Sequence, residues 1–365
     1  MALEKSKFNQ LKKSIAKTLG SAETDFEFTD PKDWISTGSR LLDYNICQGK
    51  VAGIPVGKVT EIAGLNSAGK SFMSAIICAN AQKKGIVPIY IDSEFAVQED
   101  LLRKAGVDIE QFVIISQNKL ETIFATVESV MKDNVDTRFL FVLDSLANCI
   151  TDDESEESNL TKTFNPHSFM GQGPKVAGKG FRKLLKPLWE TQSTMVVVNH
   201  LKDNISADRY EMMINPYRTP FGSAPAYAYS LRLWLTKART KDGRLETETG
   251  DLVGNKVRVE NKKNRFGRER RKIDIILNWG DDSVSISDEQ LWFEALKDAN
   301  CPHIISGQRN TLKYEDGTEE KFYSKDFLSK LKEPKFAKRI EECFRDTFLY
   351  ATASDQVPQT ETDVE

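Results

Sequence analysis

The sequence predicts an α/β fold: a mostly parallel sheet covered by helices, with an N-terminal helix before it and a small α+β domain after it. Three observations carry that expectation. From Trp34 to about Trp279, short apolar runs rich in β-branched residues alternate with stretches of helical periodicity. The first strong run, Lys58–Ala63, leads into a glycine-bounded loop, Gly64–Ser71, and then into an apolar helix with Phe72, Met73, Ala75, Ile76, Ile77 and Ala79. Another run, Arg138–Leu143, stops on the carboxylate of Asp144.

Taken in order, Phe8, Leu11, Ile15 and Leu19 recur at helical spacing among lysines and predict an amphipathic helix, which Gly20 and Ser21 end. Asp25–Asp33 reads as a linker. A helix outside the main domain buries its stripe either on its own core or on a neighbouring subunit. Strands are expected at Val59–Ala63, Val87–Ile91, Phe112–Ile115, Phe139–Leu143, Met195–Val198, Leu231–Leu235, Lys256–Glu260 and Ile273–Leu277. Helices fit Ser71–Lys83, Leu101–Ala105, Leu120–Met131 and Lys175–Trp189. Thr151–Pro174 and Leu201–Pro225 read as long irregular stretches, which in compact domains are functional or disordered. Past Asp281 a helix at Asp288–Ala299, a hairpin turning at Asp316-Gly317 and a helix from Phe336 to about Leu349 form the small domain. The expected parts are therefore 1–33, 34–281, 282–350 and an acidic tail, 351–365.

The 365 residues carry a net charge of only −3, so a nucleic-acid site must be a local basic patch. The five cysteines have no C-x-x-C spacing, which points to reduced thiols in a cytosolic compartment without a disulfide framework or zinc site. Met1–Gly20 lacks the apolar core of a signal peptide, and no run is apolar enough to span a bilayer, so a soluble protein is expected.

Gly64, Leu65, Asn66, Ser67, Ala68, Gly69, Lys70 and Ser71 have the form G-x-x-x-x-G-K-[ST] in its required strand–loop–helix context. The glycines let successive N–H groups curl around a phosphate chain, and the helix N-terminus adds its dipole. Lys70 is placed to reach β/γ-phosphates, and the Ser71 hydroxyl to coordinate Mg²⁺ opposite Asp144. Ser145 follows Asp144, where many such sites carry a glutamate, so the water-activating carboxylate must come from elsewhere. Glu94, after the strand Ile89–Asp92, lies at the edge where ligands collect. Asn199-His200 ends another strand at that edge, just before the second long stretch, and fits a nucleotide-to-loop switch.

Both long stretches interleave cations with aromatic and flexible apolar residues, a composition suited to a nucleic-acid backbone with base stacking. The first has Phe164, His167, Phe169 and Met170 ahead of a basic helix; the second has Arg209, Tyr210, Met212, Met213, Tyr217, Arg218 and Phe221. Lys256–Lys272 is the most basic stretch and reads as a hairpin around Phe266-Gly267. Its Lys263 and Arg265 are candidates for stabilising γ-phosphate charge, in this site or a neighbour's.

These residues resemble the RecA family of recombinases, most closely the phage type typified by UvsX, over about Trp34 to Asp281. The marks are Ile35-Ser-Thr-Gly-Ser39-Arg-Leu-Leu-Asp43, Gly64–Ser71, Ile91-Asp-Ser-Glu94, Leu143-Asp144-Ser145, Asn199-His200 and Lys263-Asn264-Arg265. His200 looks like the phage variant of a position that is usually Gln in bacteria. The resemblance implies a RecA-like P-loop ATPase core, using ATP and Mg²⁺, that polymerises into a helical filament on single-stranded DNA with ATP between subunits. It further implies pairing and strand exchange with homologous duplex DNA, a mediator or loader and a single-strand-binding protein as partners, and the cytoplasm (a host's, if phage-encoded) as the compartment. By position it implies that Glu94 activates water, His200 couples the γ-phosphate to the second loop, and Lys263 and Arg265 act in trans. Met170, Gly171, Lys175 and Arg182, with Gly222 and Ser223, match its DNA-contacting positions. The N-terminal helix would dock on the next subunit. Leu101 departs from the aromatic that bacterial relatives stack on adenine, and Pro225 and the second loop's length depart as well. A ring-forming helicase of the same fold and a non-catalytic single-strand coat protein are the alternative readings.

Overall fold

The computed structural model describes residues 5–19, 28–47, 53–155, 171–205, 209–237, 243–246, 250, 252–280 and 282–353. The chain forms two compact units, Met1–Lys32 and Asp33–Glu365. In the first, α1 (Lys5–Leu19) carries the expected stripe, and Phe8, Leu11 and Ile15 on it are exposed.

The second unit opens with β1 (Trp34–Ile35), α2 (Arg40–Ile46) and β2 (Ile54–Pro55), where β1 and β2 pair antiparallel. There follow β3 (Val59–Gly64), α3 (Lys70–Gln82), β4 (Val87–Asp92), α4 (Glu99–Lys104), β5 (Val113–Ser116), α5 (Leu120–Asp133), β6 (Phe139–Asp144) and α6 (Asp152–Ser155). Next come α7 (Gln172–Glu190), β7 (Thr194–His200), β8 (Lys202–Asp203), α8 (Arg209–Ile214), β9 (Tyr217–Arg218) and β10 (Leu231–Lys237). β11 (Arg244–Glu246), β12 (Leu252–Asn264), β13 (Lys272–Trp279) and β14 (Val284–Ser287) complete the large sheet.

That sheet has the order β14-β13-β12-β10-β3-β7-β6-β4-β5, with β11 on β12. From β10 to β5 every neighbour is parallel; from β10 to β14 every neighbour is antiparallel. The inner parallel strands β3, β7, β6 and β4 are buried on both faces, as crossover helices require, whereas β5 at the edge is largely exposed. Alternation decides which residue faces which layer. Phe139, Phe141 and Leu143 of β6 join a core with α5 and α7, while Leu140 and Val142 join the opposite core with α3. Gly180 of α7 lets that helix lie close on α5, since a Cβ there would stand 2.2 Å from the Phe124 ring.

The last strand, β14, lies past residue 281, where the change of sequence texture placed a junction. Beyond it, α9 (Glu289–Asp298), β15 (Ile304–Ile305), β16 (Asn310–Lys313), β17 (Glu319–Phe322), α10 (Phe327–Lys330) and α11 (Pro334–Ala353) surround a third core. Leu41 and Tyr44 of α2 belong to that same core, and Tyr44 stacks on Phe344 with ring centroids 5.7 Å apart.

Leu201–Pro225 is more ordered than its composition predicts. β8 and β9 pair antiparallel, Lys202 opposite Arg218 and Asp203 opposite Tyr217, with α8 between them. A two-residue strand leaves too short a period to be legible in sequence. Of the expected tail, 351–365, the first three residues continue α11, and residues 354–365, like residues 156–170 of the first long stretch, lie outside the described residues. Among the described residues no helix is long and apolar enough to cross a membrane.

Candidate functional site

The parallel register brings the ends of four strands to one edge. Gly64 lies beside His200, Asp92 beside Asp144, and Leu143 beside Val197. Ligands of open α/β sheets collect at this carboxyl edge. The loop from Gly64 turns through Ser67, whose φ is 54°, to Gly69 at φ 86°, where α3 begins. A side chain at Gly69 would be strained by that backbone, and its Cβ would fall 2.0 Å from Leu277 Cδ1. Lys70 is 7% exposed and donates to the Leu65 carbonyl at 3.1 Å. Burial holds its pKa below the ordinary lysine value against the pull of Asp144 and Glu94.

Ser71 Oγ donates to Asp144 Oδ2 at 2.7 Å, and the hydroxyl of buried Tyr90 donates to the same oxygen at 2.6 Å. Burial pushes the Asp144 carboxyl above the usual aspartate range, outweighing both hydroxyls and Lys70. A cavity of about 110 Å³ opens here, lined by Ser71, Tyr90, Asp92, Glu94, Leu101 and Asp144 among others. Hydroxyl and carboxylate oxygens are the donors that Mg²⁺ takes. Among the described residues no group of three or more His, Cys, Asp or Glu could hold a metal. A cation at Ser71 and Asp144 would therefore need phosphate oxygens and water as well, which is how P-loop sites hold Mg²⁺. The donor set fits.

Glu94 stands beside this pair. Its Oε1 accepts from Ser145 Oγ at 2.5 Å and lies 3.0 Å from His200 Nε2, while His200 Nδ1 lies 3.2 Å from Asn66 Oδ1. Burial opposes ionisation of Glu94, but its hydrogen bonds with His200 and Ser145 and the charge of Lys70 hold its carboxyl below the ordinary glutamate value. Asp92 accepts the backbone N–H groups of Glu94, Ala96 and Val97 and so shapes the turn that presents Glu94.

Lys263 and Arg265 are not at this edge. Arg265 N donates to the Ser230 carbonyl and Ser230 N to the Val59 carbonyl, which places Arg265 level with the start of β3. Gly64 is five residues further on, roughly 16 Å along the strand. Lys263 Nζ donates to the Ala226 carbonyl at 2.8 Å and Arg265 donates to the Tyr227 carbonyl at 3.3 Å. Burial, then Arg265 and Arg232, hold the Lys263 ammonium below its ordinary pKa.

The ends of the two long stretches meet. Gly171, at φ 91°, precedes α7, and the Phe221 ring lies so close to Gly173 that a Cβ there would be 2.7 Å from it. Phe221 is thus half-buried against the second core, whereas Gly222 and Ser223 beside it are exposed. Lys175, Lys179, Arg182 and Lys183 form an exposed cationic face of α7, with Arg182 Nε bonded to the Gly178 carbonyl. Tyr210 and Arg218 are exposed on α8 and β9; Arg209 begins α8. Met170 lies outside the described residues.

Sequence reasoning missed Tyr90, Ser145 and a buried pair, Glu61 and Arg232. Tyr90 and Glu61 sit inside strands that read as core, and only the pleat shows which face each one takes.

A strand–loop–helix phosphate cradle with a hydroxyl and a carboxylate opposite it defines a P-loop nucleotide site. Residues 3–283 match the family described as RecA N-terminal domain. The chain is 30% identical over 249 residues to Protein RecA of Chlorobaculum tepidum, covering 68% of this chain and 66% of that one. It is 28% identical over 316 residues to Protein RecA of Leifsonia xyli subsp. xyli, covering 85% and 80%, and 28% identical over 256 residues to that of Aquifex aeolicus, covering 70% and 68%. The chain thus spans just under two thirds of the Chlorobaculum protein's length. It belongs to the RecA family, the family of recombinases that its motifs resemble.

Proposed function

We propose that this protein is an ATP-dependent DNA recombinase that assembles as a helical filament on single-stranded DNA and exchanges strands with a homologous duplex. The observation that carries this reading is the separation of two half-sites on one sheet. The phosphate loop, Glu94 and His200 occupy the carboxyl edge, whereas Lys263 and Arg265 lie two strands across from the loop's strand and roughly 10 and 16 Å back along it. Cationic residues away from the phosphate loop and a cradle at the carboxyl edge fit a protein whose sites close between copies.

In this reading the N–H groups of Gly64–Ser71 and the Lys70 ammonium bind the triphosphate, and Ser71 and Asp144 hold Mg²⁺. A metal ion held there would supply charge neutralisation to the phosphates. Glu94 orients the attacking water and accepts its proton, held ionised by Ser145 and His200. Lys263 and Arg265 reach the neighbour's γ-phosphate. Gly171, Lys175, Arg182, Arg209, Tyr210, Arg218, Phe221, Gly222 and Ser223, with Met170, contact DNA, and α1 docks on the adjacent protomer. His200 supports the phage-type assignment, and a phage-encoded chain would work in its host's cytoplasm with a loader and a single-strand-binding protein.

ATP turnover measured with and without single-stranded DNA, alongside electron microscopy with a non-hydrolysable nucleotide, tests the proposal. Stimulated turnover and helical filaments are expected; monomers or closed rings would refute it.

A further inference from the structure

One ion pair, a buried carboxylate with a partly buried guanidinium, ties both feet of the 201–225 excursion to the phosphate-loop strand. Glu61 of β3 is 1% exposed, and its Oε2 meets Arg232 Nε of β10 at 2.6 Å. Its other oxygen, Oε1, accepts from Asn199 Nδ2 at 3.1 Å, and Asn199 Oδ1 accepts the backbone N–H of His200 at 2.9 Å. That is the departing foot. On the returning side, Arg232 donates through its second arm to Thr219 Oγ1 at 3.1 Å. Each partner thus divides its hydrogen bonds between the other and one foot.

A small apolar cluster lies beside the pair, separate from the three larger cores. Ala63, Leu201 and Trp234 form it, with Leu65 of the phosphate loop and Tyr217 of the returning strand packed against them. The Arg232 guanidinium lies 5.6 Å from the Trp234 ring centroid, and the Lys262 ammonium, which also bonds Asn215 of the excursion, 4.5 Å from it. The phosphate loop and both feet therefore share one packed block, so a displacement of either crowds the other.

We propose that Glu61 and Arg232 are positioning residues that couple nucleotide occupancy to the 201–225 segment, with Thr219 as the outgoing contact. The inference rests on the nucleotide and DNA reading above. Neither residue touches substrate; both act through Asn199–His200 on one side and Thr219 on the other. A guanidinium is required, because a lysine cannot serve carboxylate and hydroxyl together from two arms of fixed geometry.

Thr219→Val keeps the shape and removes the acceptor. Single-stranded DNA affinity is measured by fluorescence anisotropy with and without a non-hydrolysable ATP analogue, for wild type, Thr219→Val and Arg232→Lys. Wild type should bind DNA more tightly with nucleotide. In Thr219→Val that tightening should shrink by about tenfold or more, the effect of one lost hydrogen bond to a charged group, while nucleotide affinity and nucleotide-free DNA affinity stay unchanged. Arg232→Lys should lose the tightening too. Tightening within twofold of wild type in Thr219→Val overturns the proposal even if Arg232→Lys is impaired. No tightening in wild type overturns the parent reading, and this one with it.

Discussion

Glu94 and Asp144 are carboxylates at one strand edge whose surroundings move them in opposite directions. Hydrogen bonds from Ser145 and His200 and the charge of Lys70 outweigh burial at Glu94, whereas burial wins at Asp144. Glu94→Gln should retain nucleotide binding and lose hydrolysis by about 10²-fold or more, measured by phosphate release; turnover equal to wild type would remove Glu94 from the chemistry. Tyr90→Phe is a milder change. Were Ser71 to turn its oxygen to a cation, the Tyr90 hydroxyl would still donate to Asp144 Oδ2. A titration of nucleotide binding against Mg²⁺ should show a half-point raised by roughly three- to tenfold, with binding in excess chelator unchanged. Neither Tyr90 nor Ser145 was legible as a site residue. A tyrosine in a buried strand has the same pattern whether its hydroxyl meets a carbonyl or a carboxylate at the sheet edge.

At the scale of elements, two junctions are open to direct test. α5 and α7 touch at Gly180, so Gly180→Val should destabilise the fold by ~2 kcal/mol or more through collision with Phe124, read from a urea unfolding midpoint. α2 carries Asp43, buried, accepting from Ser36, Thr37 N and Thr37 Oγ1, with its pKa pushed up to about 7 chiefly by burial and further by Asp288. A carboxyl whose folded pKa is raised binds its proton more tightly in the native state. Its stabilising contribution is thus whole below the unfolded value of about 4 and is lost as pH rises to 7. Denaturant midpoints between pH 4 and 8 should fall with rising pH by more in wild type than in Asp43→Asn; equal slopes would show that Asp43 stays ionised in the fold. The main strands and helices themselves were readable, because long runs of one period survive local exceptions. β8, α8 and β9 were not, since segments of two to six residues carry too little periodicity.

For the whole molecule, the decisive feature is that one sheet holds the 64–71 loop at its carboxyl edge and Lys263 and Arg265 away from it, the proposed cradle and finger. Mixing Arg265→Ala with Lys70→Ala, each inactive alone, should restore part of the ATP turnover, because some interfaces then pair an intact cradle with an intact finger. Silence in the mixture at every ratio would count against a shared site. The exposed Phe8, Leu11 and Ile15 of α1 form an apolar stripe that the proposal seats on the adjacent protomer.

Chain order alone determined the phosphate loop, the parallel half of the sheet and the carboxylates at its edge, because each depends on residue spacing within a single segment. Only the tertiary structure decided that Tyr90 and Ser71 share one oxygen of Asp144, that Glu61 meets Arg232, and that Lys263 and Arg265 stand away from their own cradle. Those relations depend on strand order and register, which pairing across the sheet sets and no local pattern encodes.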